Sequence, residues 1–163
     1  MLRTTGLRSL VAMLDLKVPP VVVVFVTGTL MWWMAWLMPA FRFAIPGRVP
    51  IATICAAAGF LVAAWGVVQF GRAGTTVNPM KPESSSRLVE SGIYTFTRNP
   101  MYLGALIVLL AWAVYVSHLV AFLFLPLFVL YMNRFQIQPE ERVLTTLFGH
   151  EFTAYASRVR RWI

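Results

Sequence analysis

Residues 20–38 read PVVVVFVTGTLMWWMAWLM, and the fold turns on whether this stretch is a strand or a helix. Four consecutive valines favour a strand in a water-soluble domain. The run contains no charged residue, however, and as a helix rising about 1.5 Å per residue it approaches the ~30 Å hydrocarbon core of a bilayer. A lone strand in lipid would leave its backbone amides unpaired, whereas a helix pairs them internally. Trp32, Trp33 and Trp36, near the end of the run, suit the membrane–water interface. The stretch therefore reads as a membrane helix. The same tryptophans stand where a signal peptidase needs small residues, so no cleaved signal peptide is expected.

The rest of the chain agrees. Of 163 residues, 59% are hydrophobic and only 12% are charged. Soluble domains carry about a quarter charged residues, so the composition indicates an integral membrane protein. The net charge of +8 would raise nucleic acid as a partner for a soluble protein. Here it fits basic flanks of membrane helices, and no nucleic-acid partner is expected. A single cysteine, Cys55, excludes an internal disulfide or a paired-cysteine redox motif. His118 and His150 have no ligand-forming neighbours in sequence, so no metal is expected.

Working outward, residues 51–70 form a second apolar run, rich in Ala and Gly that let helix backbones approach closely. Residues 101–135 are apolar throughout, too long for one span, and divide best at Ser117-His118 into helices 101–117 and 119–135. Pro126 predicts a kink in the last of these. Residues 71–99 form a polar loop, long enough to suggest function. From 139 to 163 the pattern turns amphipathic: Leu144, Leu147, Phe148, Phe152, Tyr155, Val159 and Trp162 share a face, interrupted near Gly149. Arg158, Arg160 and Arg161 at its end suit anionic lipid headgroups.

The expected architecture is all-α. It is a single membrane domain over residues 1–163 of about four transmembrane helices plus C-terminal amphipathic helices. Arg3, Arg8 and Lys17 in the head (1–18), the basic residues of the 71–99 loop and those of the tail outweigh Arg42 and Arg48 in the first link. The positive-inside rule then places both termini and the 71–99 loop in the cytoplasm of a multi-pass protein.

Two polar clusters flank these helices. The first is YTFTRNPMYLG, residues 94–104. Asn99 and Pro100 suit a helix start, Tyr102 an interface and Gly104 a packing contact. The same residues also offer an anion site, with free amides at the helix end and donors from Arg98 and Tyr102. The second is QPEER, residues 138–142. Pro139 starts a helix, and Glu140 and Glu141 suit its first turn. They are also two of only six acidic residues, and carboxylates at a membrane surface need partners. Taken singly, each cluster is explained by helix initiation.

Taken together they resemble something more specific. GRAGTTVNP (71–79), LVESGIYTFTRNPMYLG (88–104) and NRFQIQPEERVLTTLFGHEFTAYASRVRRWI (133–163) occur in that order around the last two membrane helices. This order resembles the isoprenylcysteine carboxyl methyltransferases and their phospholipid methyltransferase relatives over about the last ninety residues. The box is Arg98-Asn99-Pro100-Met101-Tyr102-Leu103-Gly104, the acidic pair is Glu140-Glu141, and the tail carries Phe148, Gly149, Phe152 and Tyr155.

The resemblance implies a membrane methyltransferase that binds S-adenosylmethionine on its cytoplasmic side, between the last membrane helices and the C-terminal helices. Asn99 and Tyr102 would line the amino-acid end of the cofactor, with Gly104 beside it, and Arg98 would also bind the cofactor. Glu140 and Glu141 would hold its polar groups, and Arg134 would stand near the reacting end of the acceptor. The acceptor would be a lipid, a prenylated molecule or another lipophilic compound presenting a carboxylate, amine or thiol, drawn from among the surrounding membrane lipids. Isoprenylcysteine enzymes have histidine where this chain has Asn99, which serves hydrogen bonding but not proton transfer. No glycine loop of the Rossmann kind appears. Two other classes fit the composition: a non-catalytic scaffold or assembly protein of the same fold, and a small four-helix transporter. The transporter is disfavoured because runs 20–38, 51–70 and 101–117 hold no ionisable acid or base for coupling.

Overall fold

A computed structural model describes residues 15–74 and 82–163. Helix α1 spans Pro20–Leu37 and α2 spans Arg48–Ala73. Helix α3 spans Pro100–Val116 and α4 spans Leu119–Met132. A π-helical turn, Asn133–Ile137, leads into α5, Gln138–Phe148, and α6 follows over His150–Arg158. Among the described residues the architecture is all-α, with one isolated bridge pairing Arg42 with His118.

Local chemistry sets the helix ends. Proline occupies the first turn of α1, α3 and α5, where its missing N–H costs nothing. Ser117 adopts a left-handed conformation at φ +52° and turns α3 back into α4. Gly149, at φ +49°, separates α5 from α6.

Helices α1, α2 and the continuous segment Leu119–Phe148 are each long and apolar enough to cross a bilayer, and α3 is a shorter apolar helix. Phe25, Trp36, Ile54, Leu61 and Leu130 point outward, as suits a lipid-facing surface. This is a membrane protein. The span expected at 51–70 runs further, from Arg48 to Ala73. The helix expected over 119–135 does not stop before the amphipathic segment. It passes through the π turn into α5, because Asn133 and Gln136 find partners within the protein. Asn133 Oδ1 accepts from Trp162 Nε1 at 3.0 Å, and Gln136 Nε2 donates to the Val18 carbonyl.

Helices α2 and α3 cross in near backbone contact. A Cβ placed on Gly59 would lie 2.7 Å from the Gly104 carbonyl oxygen, and one on Gly104 would lie 2.5 Å from that of Gly59. Only glycine fits at either position. Helix α1 packs on α3 and α4, and Trp112 Nε1 donates to the Gly28 carbonyl at 3.0 Å. Met31, Leu109, Phe128, Met132 and Ile137 form the bundle core. At one end of the bundle, fully buried His118 reaches the Met38 carbonyl through Nε2 at 2.8 Å. At the other end a second apolar cluster, Val89, Ile93, Tyr94, Phe152 and Tyr155, joins the 82–99 segment to α6. That second cluster roofs the functional site.

Candidate functional site

The site is assembled by the C-terminal segment folding back over the start of α3. The Arg98 amide donates to the Arg160 carbonyl at 3.0 Å. Thr97 Oγ1 and Asn99 Nδ2 both donate to the Arg161 carbonyl, at 3.1 and 3.0 Å. Asn99 therefore does not cap α3 with its side chain, the role a helix-start reading gives it. Its amide group is used to hold the chain's last turn of backbone.

Glu141 fastens the same junction. Its carboxylate accepts from Arg161 Nε at 2.9 Å and from a terminal nitrogen of Arg161 at 2.6 Å, and it pairs with Arg98 at 3.1 Å. These bonds raise the Arg161 pKa above its usual range, with the hydrogen bond to Glu141 as the largest cause. Glu140, one residue earlier, accepts from the Tyr102 hydroxyl at 3.2 Å. The Tyr155 hydroxyl donates to the Tyr94 carbonyl at 2.7 Å, which ties α6 to the 92–95 turn.

Arg98, Asn99, Tyr102, Glu140 and Glu141 all line one narrow cleft of about 770 Å³, open solvent at its mouth included. Residues 98–102 and 140–141 are thus brought to one cavity from opposite ends of a helical hairpin. Two other residues singled out in the sequence lie elsewhere. Gly104 sits in the α2–α3 crossing, with Gly59 and Ala63 against it. Arg134 pairs with Asp15 at 3.1 Å and is not part of the cleft lining.

Tyr94 and Tyr155 also line the cleft, and sequence reasoning gave neither a place in it. Tyr155 was legible as one residue of an amphipathic face and of the family-like tail, without a role in the site. Tyr94 carries the sharper feature: among the described residues its buried hydroxyl has no hydrogen-bond partner, and neither has the buried Nε of Arg98. Burial, then the Glu140 charge, raises the Tyr94 pKa and keeps the phenol protonated. Two buried donors thus face one cavity without acceptors, a costly arrangement unless a ligand supplies them. Among the described residues, no three His, Cys, Asp or Glu side chains gather as a metal site.

Residues 48–151 match the model of the phospholipid methyltransferase family. The match runs from the start of α2 to the start of α6 and so includes the box, the hairpin and the acidic pair. An uncharacterized protein of Haemophilus influenzae is 43% identical over 63 residues, which is all of that protein and 39% of this chain. No solved structure matches the chain.

Proposed function

The chain belongs to the phospholipid methyltransferase family, and from that premise we propose that the cleft between α3, α5 and α6 binds S-adenosylmethionine and methylates a lipophilic acceptor. The observation that carries the reading is the pair of orphan donors, Tyr94 Oη and Arg98 Nε, facing the same cavity as the under-used carboxylate of Glu140. A zwitterionic amino-acid group meets that set with matching charges. Its carboxylate would accept from Tyr94 and Arg98, and its ammonium would donate to Glu140.

The acidic pair then divides its labour. Glu141 is saturated by Arg98 and Arg161 and holds the C-terminal segment shut. Glu140 keeps lone pairs for the ligand. Tyr102 orients Glu140, and Asn99 secures the Arg161 backbone beside it. Gly104 acts one step removed, by letting α3 lie close to α2. Arg134 lies outside the cleft lining and pairs with Asp15, so no contact with the acceptor is assigned to it.

Bound there, S-adenosylmethionine would supply a sulfonium methyl that an acceptor nucleophile takes in line as the carbon–sulfur bond breaks. The chain's own contribution is alignment and exclusion of water. Holding reactants in line can contribute about 7–11 kcal/mol. The apolar roof of Val89, Ile93 and Phe152 closes the site from above. In this orientation the cleft, the 71–99 loop and both termini face the cytoplasm, where the water-borne donor is.

The test is direct. Purified protein in detergent should bind S-adenosylhomocysteine in the micromolar range by calorimetry. With a labelled methyl donor and a total lipid extract, label should enter a lipid fraction. Binding without transfer to any lipid or protein fraction would favour a non-catalytic scaffold, and absence of binding would overturn the cofactor assignment.

A further inference from the structure

Asp15 bridges two arginines. Its Oδ1 lies 3.1 Å from Arg134 on the π turn, and its Oδ2 lies 2.6 Å from Arg142 on α5. The grouping carries one negative and two positive charges, and Lys17 stands exposed two residues on. A superficially similar cluster, Glu141 between Arg98 and Arg161, differs in access. There the arginine side chains are 13% and 38% exposed, whereas here Arg134 is 39% and Arg142 61% exposed while Asp15 itself is 16% exposed, so the difference lies mainly in Arg142. The second cluster is the more open, from the Arg142 side.

Its position is also particular. Asp15 precedes α1, and Arg134 follows α4, so the arginines lie where two apolar helices leave the hydrocarbon. Tyr131 and Phe135, with ring centres 4.9 Å apart, mark the same level, and the Arg134 guanidinium lies 5.2 Å over the Phe135 ring.

We propose that Arg134 and Arg142 form a binding site for the phosphate of an anionic membrane lipid, with Asp15 as an internal stand-in that the lipid displaces. A phosphodiester offers two free oxygens and one negative charge, the same pattern that the Asp15 carboxylate presents to the two guanidiniums. The excess positive charge selects lipids with no compensating cation in the headgroup. Displacement is favoured by the chain next to Asp15. Leu16 adopts φ +58°, a left-handed conformation that is costly for a bulky residue. It is held by its amide bond to the Phe135 carbonyl, at 3.0 Å, and by the Gln136 contact to Val18. When phosphate replaces the carboxylate, Leu16 leaves that conformation and residues 15–18 detach from the π turn. The inference does not depend on the cofactor assignment, because its readout involves no methyl transfer.

The experiment uses the full chain in nanodiscs of phosphatidylcholine, with or without phosphatidylglycerol, and follows backbone hydrogen exchange in a peptide covering Leu16–Val18. Phosphatidylglycerol should accelerate exchange there about tenfold, the scale of one charge-assisted contact. Asp15→Asn should exchange fast in both lipids, and Arg142→Gln should lose the dependence on phosphatidylglycerol. Exchange across the α2–α3 crossing serves as the folding control and should not move. Native mass spectrometry should find more phosphatidylglycerol retained on Asp15→Asn than on the wild type. The proposal is overturned if wild-type exchange ignores lipid charge, or if inorganic phosphate in phosphatidylcholine discs accelerates it as much as the lipid does.

Discussion

The Tyr102 hydroxyl and the Glu140 carboxylate meet at 3.2 Å, although 38 residues and a complete helical hairpin separate them in the chain. The bond fixes the carboxylate that the cleft leaves available to a ligand. Tyr102→Phe should weaken S-adenosylhomocysteine binding about tenfold, the usual scale for losing a hydrogen bond to a charged group. Calorimetry on the two proteins checks this; equal affinities would remove Tyr102 from the site.

Tyr94 offers an opposite pair of effects. Its buried hydroxyl has no partner, so Tyr94→Phe should raise the stability of the ligand-free protein by roughly 1 kcal/mol while weakening ligand binding about tenfold. A higher melting temperature with lower affinity is the expected signature. A drop in both would mean that the hydroxyl serves the fold.

At Gly104 the added methyl would meet the Gly59 carbonyl at 2.5 Å and Ala63 at 2.8 Å. Gly104→Ala should therefore push α2 from α3 and destabilise the protein by about 1–3 kcal/mol. Affinity per folded molecule should stay unchanged. Thermal melting and calorimetry on the same sample separate packing from ligand contact, and an affinity loss in fully folded protein would return Gly104 to the cleft.

Alkaline pH should loosen the roof. Burial raises the Tyr155 pKa above its ordinary 10.0, partly offset by the Arg98 charge, and burial raises that of Tyr94 as well. Below pH 10 these phenols are protonated whether the chain is folded or not, and their contribution is intact. Above it the unfolded chain loses protons that the folded chain keeps. Stability should then fall by about 1.4 kcal/mol per pH unit for each tyrosine. Melting followed from pH 9 upward should show the decline, and Tyr155→Phe should flatten it in part.

Much of this was legible in the sequence. Uncharged runs gave the membrane helices because lipid tolerates no unpaired backbone. Ser117 and Gly149, both suited to sharp turns, mark helix ends in the structure too. Arg98, Asn99, Tyr102, Glu140 and Glu141 share one cleft, yet no single-chain pattern distinguishes the roles of the two glutamates. That distinction comes from Arg161, whose side chain reaches Glu141 across 20 residues. Likewise the Asn99 amide looks like a helix cap until the C-terminal backbone arrives beside it. Partners that are local in sequence can be anticipated; those supplied by a returning tail cannot. The π turn was hidden for a related reason, since Asn133 and Gln136 are anchored by Trp162 and Val18 from the two ends of the described chain.

The unbroken passage from α4 through the π turn into α5 has a mechanical corollary. The backbone is continuous, and Pro126 and the π turn are the two places along it where it can bend between Leu119 and Glu140. Helices adjust their lean to the thickness of the surrounding bilayer, so a thinner or thicker membrane would swing Glu140 like the tip of a lever while Tyr102, on the separate α3, follows its own neighbours. The Tyr102–Glu140 contact is then the place in the cleft where a change in bilayer thickness would be felt.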